Sequence, residues 1–286
     1  MDNLLVPISE LELAFEDICD VAVLKNGGQK NVLSAIHGKF GNVVLKVFSP
    51  DMRRGRVERE LQALELQLDY VPRVFYSGEK NFSTGEFFIS IEQRIDGTDV
   101  SRFAKQNRIT YGLAVRLMRD ILNILAQLEI NGLVHRDIKP DNIIIDRNGR
   151  FWLIDFGAVR DLNATTLTRT GYGAPLTYGY AAPEQYDPAM RDMIDSRTDL
   201  FSLGITVYSL LNGKNPFIDG CHNADEIAQT TRQCTLPTLN IDGDYNQGLA
   251  KYIKLLMSKD MVARPPNVKM AIDWFGRFVQ NGGELI

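Results

Sequence analysis

Apolar positions follow two different rhythms along this chain, and the change between them predicts the architecture. From residue 21 to residue 48 they form short β-type runs, VAVL, NVLSAI and NVVLKVF, separated by the turn clusters Asn26-Gly27-Gly28 and His37-Gly38-Lys39-Phe40-Gly41. That pattern predicts an antiparallel meander. Ahead of it, Ser9 and Glu12 have capping-box spacing and predict a short helix over 11–18. Pro50-Asp51 opens an amphipathic helix in which Val57, Leu61, Leu64 and Leu68 recur on one face. Two further strands are predicted at 74–76 and 87–91, followed by a loop at Asp96-Gly97. Beyond that point the spacing is helical. Leu113, Leu117, Ile121, Ile124 and Leu128 mark a long helix stopped by Asn131-Gly132, and further helices are predicted over 200–211, 224–231, 248–257 and 268–279. The expected fold is α+β and two-lobed: an N-terminal extension over 1–20, a small β-rich lobe with one long helix over 21–93, and a larger helical lobe over 94–286.

Composition narrows the function classes without choosing one. The 286 residues are 44% apolar, enough for a packed core without staples. Lys plus Arg total 32 against 36 Asp plus Glu, a net charge of −4 with no basic run, so nucleic acid is not an expected partner. The run over 200–211 is too short for a bilayer, which needs ~20 apolar residues, and reads as a buried helix. The first residues are acidic where a signal peptide needs basic ones, and Cys19, Cys221 and Cys234 are widely spaced. Free thiols and a cytoplasmic location without a membrane span are expected. No internal repeat, linker or low-complexity tract breaks the chain.

After the long helix comes Leu133-Val134-His135-Arg136-Asp137-Ile138-Lys139-Pro140-Asp141-Asn142, leading into Ile143-Ile144-Ile145. A carboxylate, an ammonium and an amide within a few positions can orient a hydroxyl and hold a metal phosphate, although a polar surface turn accounts for any two of them. The whole string resembles the H-R-D-x-K-P-x-N loop of eukaryotic-type (Hanks-type) protein kinases at each fixed position. The resemblance implies Asp137 as the base that accepts a substrate hydroxyl proton, Lys139 as support for the γ-phosphate, and Asn142 as a metal ligand. Lysine at 139 is similar to the serine/threonine-specific members. The strand Phe151-Trp152-Leu153-Ile154 ends in Asp155-Phe156-Gly157, which resembles the magnesium motif and implies Asp155 as the bridge to the metal ions on the β and γ phosphates, with Asn142 a ligand of the second magnesium. ATP, Mg2+ with Mn2+ as the alternative, and a protein substrate bearing Ser or Thr are the implied ligands.

Lys46 lies inside the apolar strand Val43-Val44-Leu45-Lys46-Val47-Phe48, where an unpaired ammonium is costly, so it needs an anion. Glu60 on the following helix is similar in placement to the family's helix glutamate, and the resemblance implies a Lys46–Glu60 pair that positions the α and β phosphates. A lysine on an edge strand and a surface glutamate are the plainer alternative. The glycine-rich loop departs from the family: G-x-G-x-x-G-x-V falls on Lys25, Gly27, Lys30 and Val32, so only Gly27, with Gly28 beside it, is kept. Those two glycines still allow a tight turn against phosphates, and Lys30 either adds charge there or faces solvent. Val32, Val44 and Ile144 are placed like residues that sandwich adenine, and Gln93 to Ile95 like the hinge that reads it, with Glu92 at the position called the gatekeeper. A charge there is unusual for the family.

Thr165, Thr166, Thr168 and Thr170 lie between Asp155-Phe156-Gly157 and Ala182-Pro183-Glu184, in what resembles an activation segment open to autophosphorylation and to pairing with Arg136. Thr177 corresponds to the threonine that contacts the catalytic aspartate. Asp199, Pro216-Phe217 and Arg264 match structural positions: Glu184 with Arg264 implies a buried salt bridge, and Asp199 a brace for the loop backbone. The resemblance spans 21–279 and, in TDLFSLG and NGKNPF, has a bacterial cast. It implies a serine/threonine protein kinase. Two rivals are kept: a small-molecule kinase of the aminoglycoside phosphotransferase type, which typically lacks Ala-Pro-Glu and a long activation segment, and a pseudokinase that binds nucleotide without transfer.

Overall fold

The structure, a computed structural model, describes residues 4–51, 54–163, 176–237 and 239–279. The chain divides into two compact units, one ending at Asp96 and the other starting at Gly97. Its architecture is α+β, with the strands concentrated in the first unit and the helices in the second.

The first unit is built in the order α1 (Ile8–Ala14), β1 (Ile18–Asn26), β2 (Lys30–His37), β3 (Gly41–Phe48), α2 (Arg54–Glu65), β4 (Val74–Phe82) and β5 (Gly85–Gln93). The five strands form one antiparallel sheet in the order β1-β2-β3-β5-β4. Side chains alternate across such a sheet, so register decides which residues share a face. On one face Leu33, Ala35, Val43, Leu45, Val47, Ile89 and Ile91 join Val6, Leu11 and Ile18 in a single buried cluster. On the other, Phe48 packs with Val57 and Leu61 of α2 and with Val74 and Phe88. Lys46 stands opposite Val32 and Ser90, and Val44 opposite Ser34 and Glu92, which places them on this second face.

Helix α1 departs from expectation. It starts at Ile8 after Pro7, whose fixed φ sets the entry, and no side chain caps it, so the Ser9/Glu12 box does not form. Ile18 belongs to β1 because its side chain is needed in the core. The segment before the sheet is also tied down by polar contacts: Leu5 N–H donates to Asn31 Oδ1 at 2.7 Å, Thr84 Oγ1 to Leu5 O at 3.0 Å, and Lys80 Nζ to Ala14 O at 2.7 Å. Helix α2 ends at Glu65, before Leu68, because the chain turns through Gln67 at φ 51°.

The second unit runs β6 (Gly97–Asp99), α3 (Val100–Gln106), α4 (Tyr111–Ile130), β7 (Leu133–Val134), β8 (Ile143–Asp146), β9 (Phe151–Leu153), β10 (Arg160–Asp161), α5 (Ser196–Asn212), α6 (Ala224–Gln233), α7 (Gly248–Leu256) and α8 (Val268–Val279). The expected loop at Gly97 is instead the start of β6, antiparallel to β8. Only glycine fits there, since a Cβ would lie 2.3 Å from the Ile145 carbonyl oxygen. Helix α3 has no apolar stripe to announce it; its start is fixed by Asp99, whose Oδ1 accepts the Arg102 N–H at 2.8 Å. The predicted buried helix is α5, which packs against α4, α7 and α8. Gly204 lets α7 approach, because a Cβ there would meet Met257 Cγ at 2.8 Å. Two buried hydroxyls of α5 are satisfied by backbone: Ser209 Oγ donates to Ile205 O, and Thr206 Oγ1 donates to Ile138 O at 3.2 Å, joining α5 to the loop before β8.

Candidate active site

Residues 135–142 connect β7 to β8 and are held from below by Asp199 at the start of α5. His135 N–H and Arg136 N–H each donate to an Asp199 carboxylate oxygen at 2.7 Å. Arg136 has φ 66°, a left-handed conformation that disfavours an arginine, and these two bonds stabilise it. Burial pushes the Asp199 carboxyl up to about 7, against the pull of the N–H groups of Arg136 and His135. His135 is also buried and its pKa is pushed down to about 4 by desolvation, with the Asp137 and Asp155 charges opposing the shift. Its neutral ring packs edge-on against Phe156 at 4.8 Å, and its Nδ1 accepts the Asp137 N–H at 3.3 Å.

This brace aims Asp137 into a tight polar cluster. Asp137 Oδ1 accepts the Thr177 hydroxyl at 2.6 Å, and Oδ2 accepts Lys139 Nζ at 2.7 Å and Asn142 Nδ2 at 2.9 Å. Lys139 Nζ also donates to Thr177 Oγ1 at 2.7 Å. Four residues expected to act together are thus brought together. A carboxylate oxygen has more than one acceptor direction, so the oriented carboxylate can still receive a hydroxyl proton.

Asn142 donates its amide N–H groups to Asp137, which leaves its amide oxygen for a hard cation. Ile143 pairs with Leu153, and Ile154 N–H donates to Asn142 O at 2.9 Å, so Asn142 and Asp155 leave the β8–β9 pair at the same end. Asp155, like Arg136, is left-handed, with φ 62°. A carboxylate and an amide oxygen are the donor types that Mg2+ or Mn2+ takes when substrate phosphates complete the shell. Among the described residues, no group of three or more His, Cys, Asp and Glu could hold a metal by itself.

In the first unit, Lys46 Nζ lies 2.9 Å from Glu60 Oε1, because Val57, Glu60, Leu61 and Leu64 share the buried stripe of α2 on the Lys46 face of the sheet. A second partner was missed from sequence: Glu92 Oε2 is 2.8 Å from the same Nζ. Glutamate in the run Phe87-Phe88-Ile89-Ser90-Ile91-Glu92 carries the same desolvation argument as Lys46, and that signal could have found it. Lys30 does not face solvent; its Nζ bonds Glu60 at 3.1 Å. Gly27 and Gly28 lie between β1 and β2 but neither takes a left-handed φ, so the turn itself does not demand them. Val32 and Val44 are half-buried on the Lys46 face, Gln93 is half-buried and Ile95 buried; in the second unit, Ile144 is half-buried on β8.

Arg136 Nε donates to Ala158 O at 2.6 Å; Thr165, Thr166, Thr168 and Thr170 lie outside the described residues. Glu184 and Arg264 form the expected buried pair, with Nη1–Oε1 at 2.6 Å and Nη2–Oε2 at 3.0 Å.

A family model described as "Protein kinase domain" matches residues 24–274. The chain is 32% identical over 203 residues to the serine/threonine-protein kinase PknD of Mycobacterium tuberculosis, covering 68% of this chain and 29% of that protein. It is 31% identical over 207 residues to the probable serine/threonine-protein kinase SCO3848 of Streptomyces coelicolor, covering 68% and 30%. To the probable serine/threonine-protein kinase PknB of Lactococcus lactis it is 27% identical over 254 residues, covering 85% and 39%. The chain therefore spans well under half the length of these relatives.

Proposed function

Because this chain belongs to the protein kinase family, we propose that it is a serine/threonine protein kinase transferring the γ-phosphate of ATP to a Ser or Thr hydroxyl on a protein. One observation carries the reading most: Asp137, Lys139, Asn142 and Thr177 form a single hydrogen-bonded cluster. Asp137 orients the acceptor hydroxyl and takes its proton as the phosphoryl group transfers. Lys139 offsets the negative charge that grows on the γ-phosphate oxygens. Thr177 ties the two together, so base and cation keep one spacing.

Asn142 and Asp155 are assigned the divalent metal. A bound Mg2+, or Mn2+, would neutralise charge on the phosphate oxygens. In the first unit, Lys46, positioned by Glu60, is assigned the α and β phosphates, and Gly28 offers its backbone N–H to them, that of Gly27 being donated to Lys30 O at 3.2 Å. Lys30 acts on that site through Glu60. The half-buried apolar groups of Val32, Val44 and Ile144 are assigned to adenine, and the backbone over Gln93 to Ile95 to its polar edge. Autophosphorylation between residues 157 and 182 is part of the proposal. So is a cytoplasmic location, which the free thiols of Cys19, Cys221 and Cys234 favour. No described helix is long and apolar enough to cross a membrane.

The test is transfer of radiolabelled γ-phosphate from ATP with magnesium, with and without a generic protein acceptor, by the parent chain, Asp137→Asn and Asp155→Asn. Label should reach protein Ser or Thr in the parent, and loss of the base should lower the rate by ~10²–10⁴-fold. A parent that binds ATP but transfers nothing, even with manganese, would refute catalysis and favour a pseudokinase.

A further inference from the structure

Lys46 is held between two carboxylates. Its Nζ is 2.9 Å from Glu60 Oε1 and 2.8 Å from Glu92 Oε2, with the three side chains 7%, 0% and 5% exposed. Glu92 is fixed in that direction by its own strand. Its other oxygen, Oε1, accepts the Ser90 hydroxyl at 2.7 Å, and Ser90 stands directly across the β3–β5 ladder from Lys46. Glu60 is shared in turn, accepting Lys30 Nζ at 3.1 Å. These contacts run in series through Lys30, Glu60, Lys46, Glu92 and Ser90. Lys30 is a second cation on Glu60, so Glu60 does not depend on Lys46 alone for its countercharge.

We propose that Glu92 is a positioning residue that competes with the phosphates of ATP for Lys46 and so sets the nucleotide affinity. The proposal rests on the assignment of Lys46 to those phosphates. An ammonium has three N–H donors, and each carboxylate at contact distance engages one while countering the charge. A phosphate approaching Lys46 therefore meets a cation already neutralised on the Glu92 side, and it meets the Glu92 charge as well. Within a buried site like charges a few ångströms apart repel strongly. The penalty falls on the phosphates alone, so a ligand without them should be indifferent to Glu92.

Calorimetric titration of the full chain with ATP and with adenosine, in magnesium, tests this on the parent, Glu92→Gln, Ser90→Ala and Lys46→Met. Glutamine keeps the shape: its oxygen can accept from Lys46 and its amide N–H can donate to the Ser90 hydroxyl oxygen, while Lys46 keeps Glu60. The ATP Kd should fall by about tenfold in Glu92→Gln, with the adenosine Kd moving by less than about twofold. Ser90→Ala removes no charge and carries the test if Glu92→Gln does not fold; it should shift ATP in the same direction and by less. Unchanged or weakened ATP binding in these variants overturns the proposal. So does an equal change for both ligands, the result of a merely structural role. Lys46→Met should weaken ATP and spare adenosine; if it binds ATP as the parent does, the phosphate assignment itself fails and the competition with it.

Discussion

Removing both partners of the Glu184–Arg264 pair should destabilise the helical unit by less than the sum of the two single losses. The pair is sealed, with side chains 1% and 0% exposed, and bonded at 2.6 and 3.0 Å. Arg264 also donates to Ser258 O at 2.9 Å and to Arg197 O at 3.1 Å, and its guanidinium lies 4.8 Å from the Phe201 ring. In Arg264→Leu, Glu184 keeps the Thr198 hydroxyl at 2.8 Å and the more distant charge of Arg197. A buried charge stripped of its partner costs about 3–5 kcal/mol, equivalent to a fall of roughly 6–20 °C in Tm for a unit of this size. Pairing Arg264→Leu with Glu184→Met removes the orphan along with the bond, so the double variant should be less destabilised than the two single losses added, with a coupling of about 2–3 kcal/mol. Urea unfolding followed by tryptophan fluorescence reads this directly, because Trp152 and Trp274, the two tryptophans of the chain, both lie in the second unit. The reasoning is refuted if Arg264→Leu costs under about 1 kcal/mol, or if the single losses simply add.

The buried His135 makes stability pH-dependent in a defined window. Its pKa of about 4 in the folded chain lies below the ~6.5 of an unfolded histidine, so the folded state binds fewer protons between those values. The stability it supports is whole above pH ~6.5 and is lost progressively, by about 3 kcal/mol, as pH falls toward 4. His135→Phe keeps a ring against Phe156 without a titrating group and, in urea unfolding, should lose about 3 kcal/mol less than the parent between pH ~6.5 and ~4, with Asp199, its carboxyl raised to about 7, adding the opposite slope to both. Equal changes in the two chains would count against burial as the cause. For Thr177, bonds to Asp137 and Lys139 at 2.6 and 2.7 Å predict that Thr177→Ala lowers kcat/KM by roughly 10–100-fold while Thr177→Ser restores most of it. Equal activities in the two variants would remove Thr177 from the cluster's function.

Features written into contiguous residues were readable beforehand, and features set by strand register were not. The string from His135 to Asn142 carries its chemistry within eight positions, and α4 shows itself in an apolar stripe with a clear stop at Asn131-Gly132. Glu184 and Arg264 were paired from motif likeness, which stands in for the long-range contact that sequence spacing hides. Glu92 shows the limit. It looked like a misplaced charge because its partner, Lys46, is on another strand, and only the β3–β5 pairing brings Ser90 opposite Lys46 and turns Glu92 toward it. Lys30 failed for the same reason, since a hairpin lysine reads as solvated until α2 delivers Glu60. Helix α3 is short and has one buried residue, Val100, so no periodicity exposed it. The capping box at Ser9 was outweighed by Pro7 and by the demand of the core for Val6 and Leu11.

That demand separates ancestry from foldability in this chain. The inherited domain, as the family match defines it, begins at residue 24, yet Val6, Leu11 and Ile18 are buried in the same cluster as Leu33, Val43 and Ile89. A polypeptide trimmed to the matched span would present a sheet with one face stripped of its cover, an apolar surface that invites self-association. Residues 4–14 therefore cover one face of the sheet and residues 18–23 supply most of its edge strand β1, so any recombination, fusion or shortening that respects the family boundary but ignores Leu11 would leave that face bare.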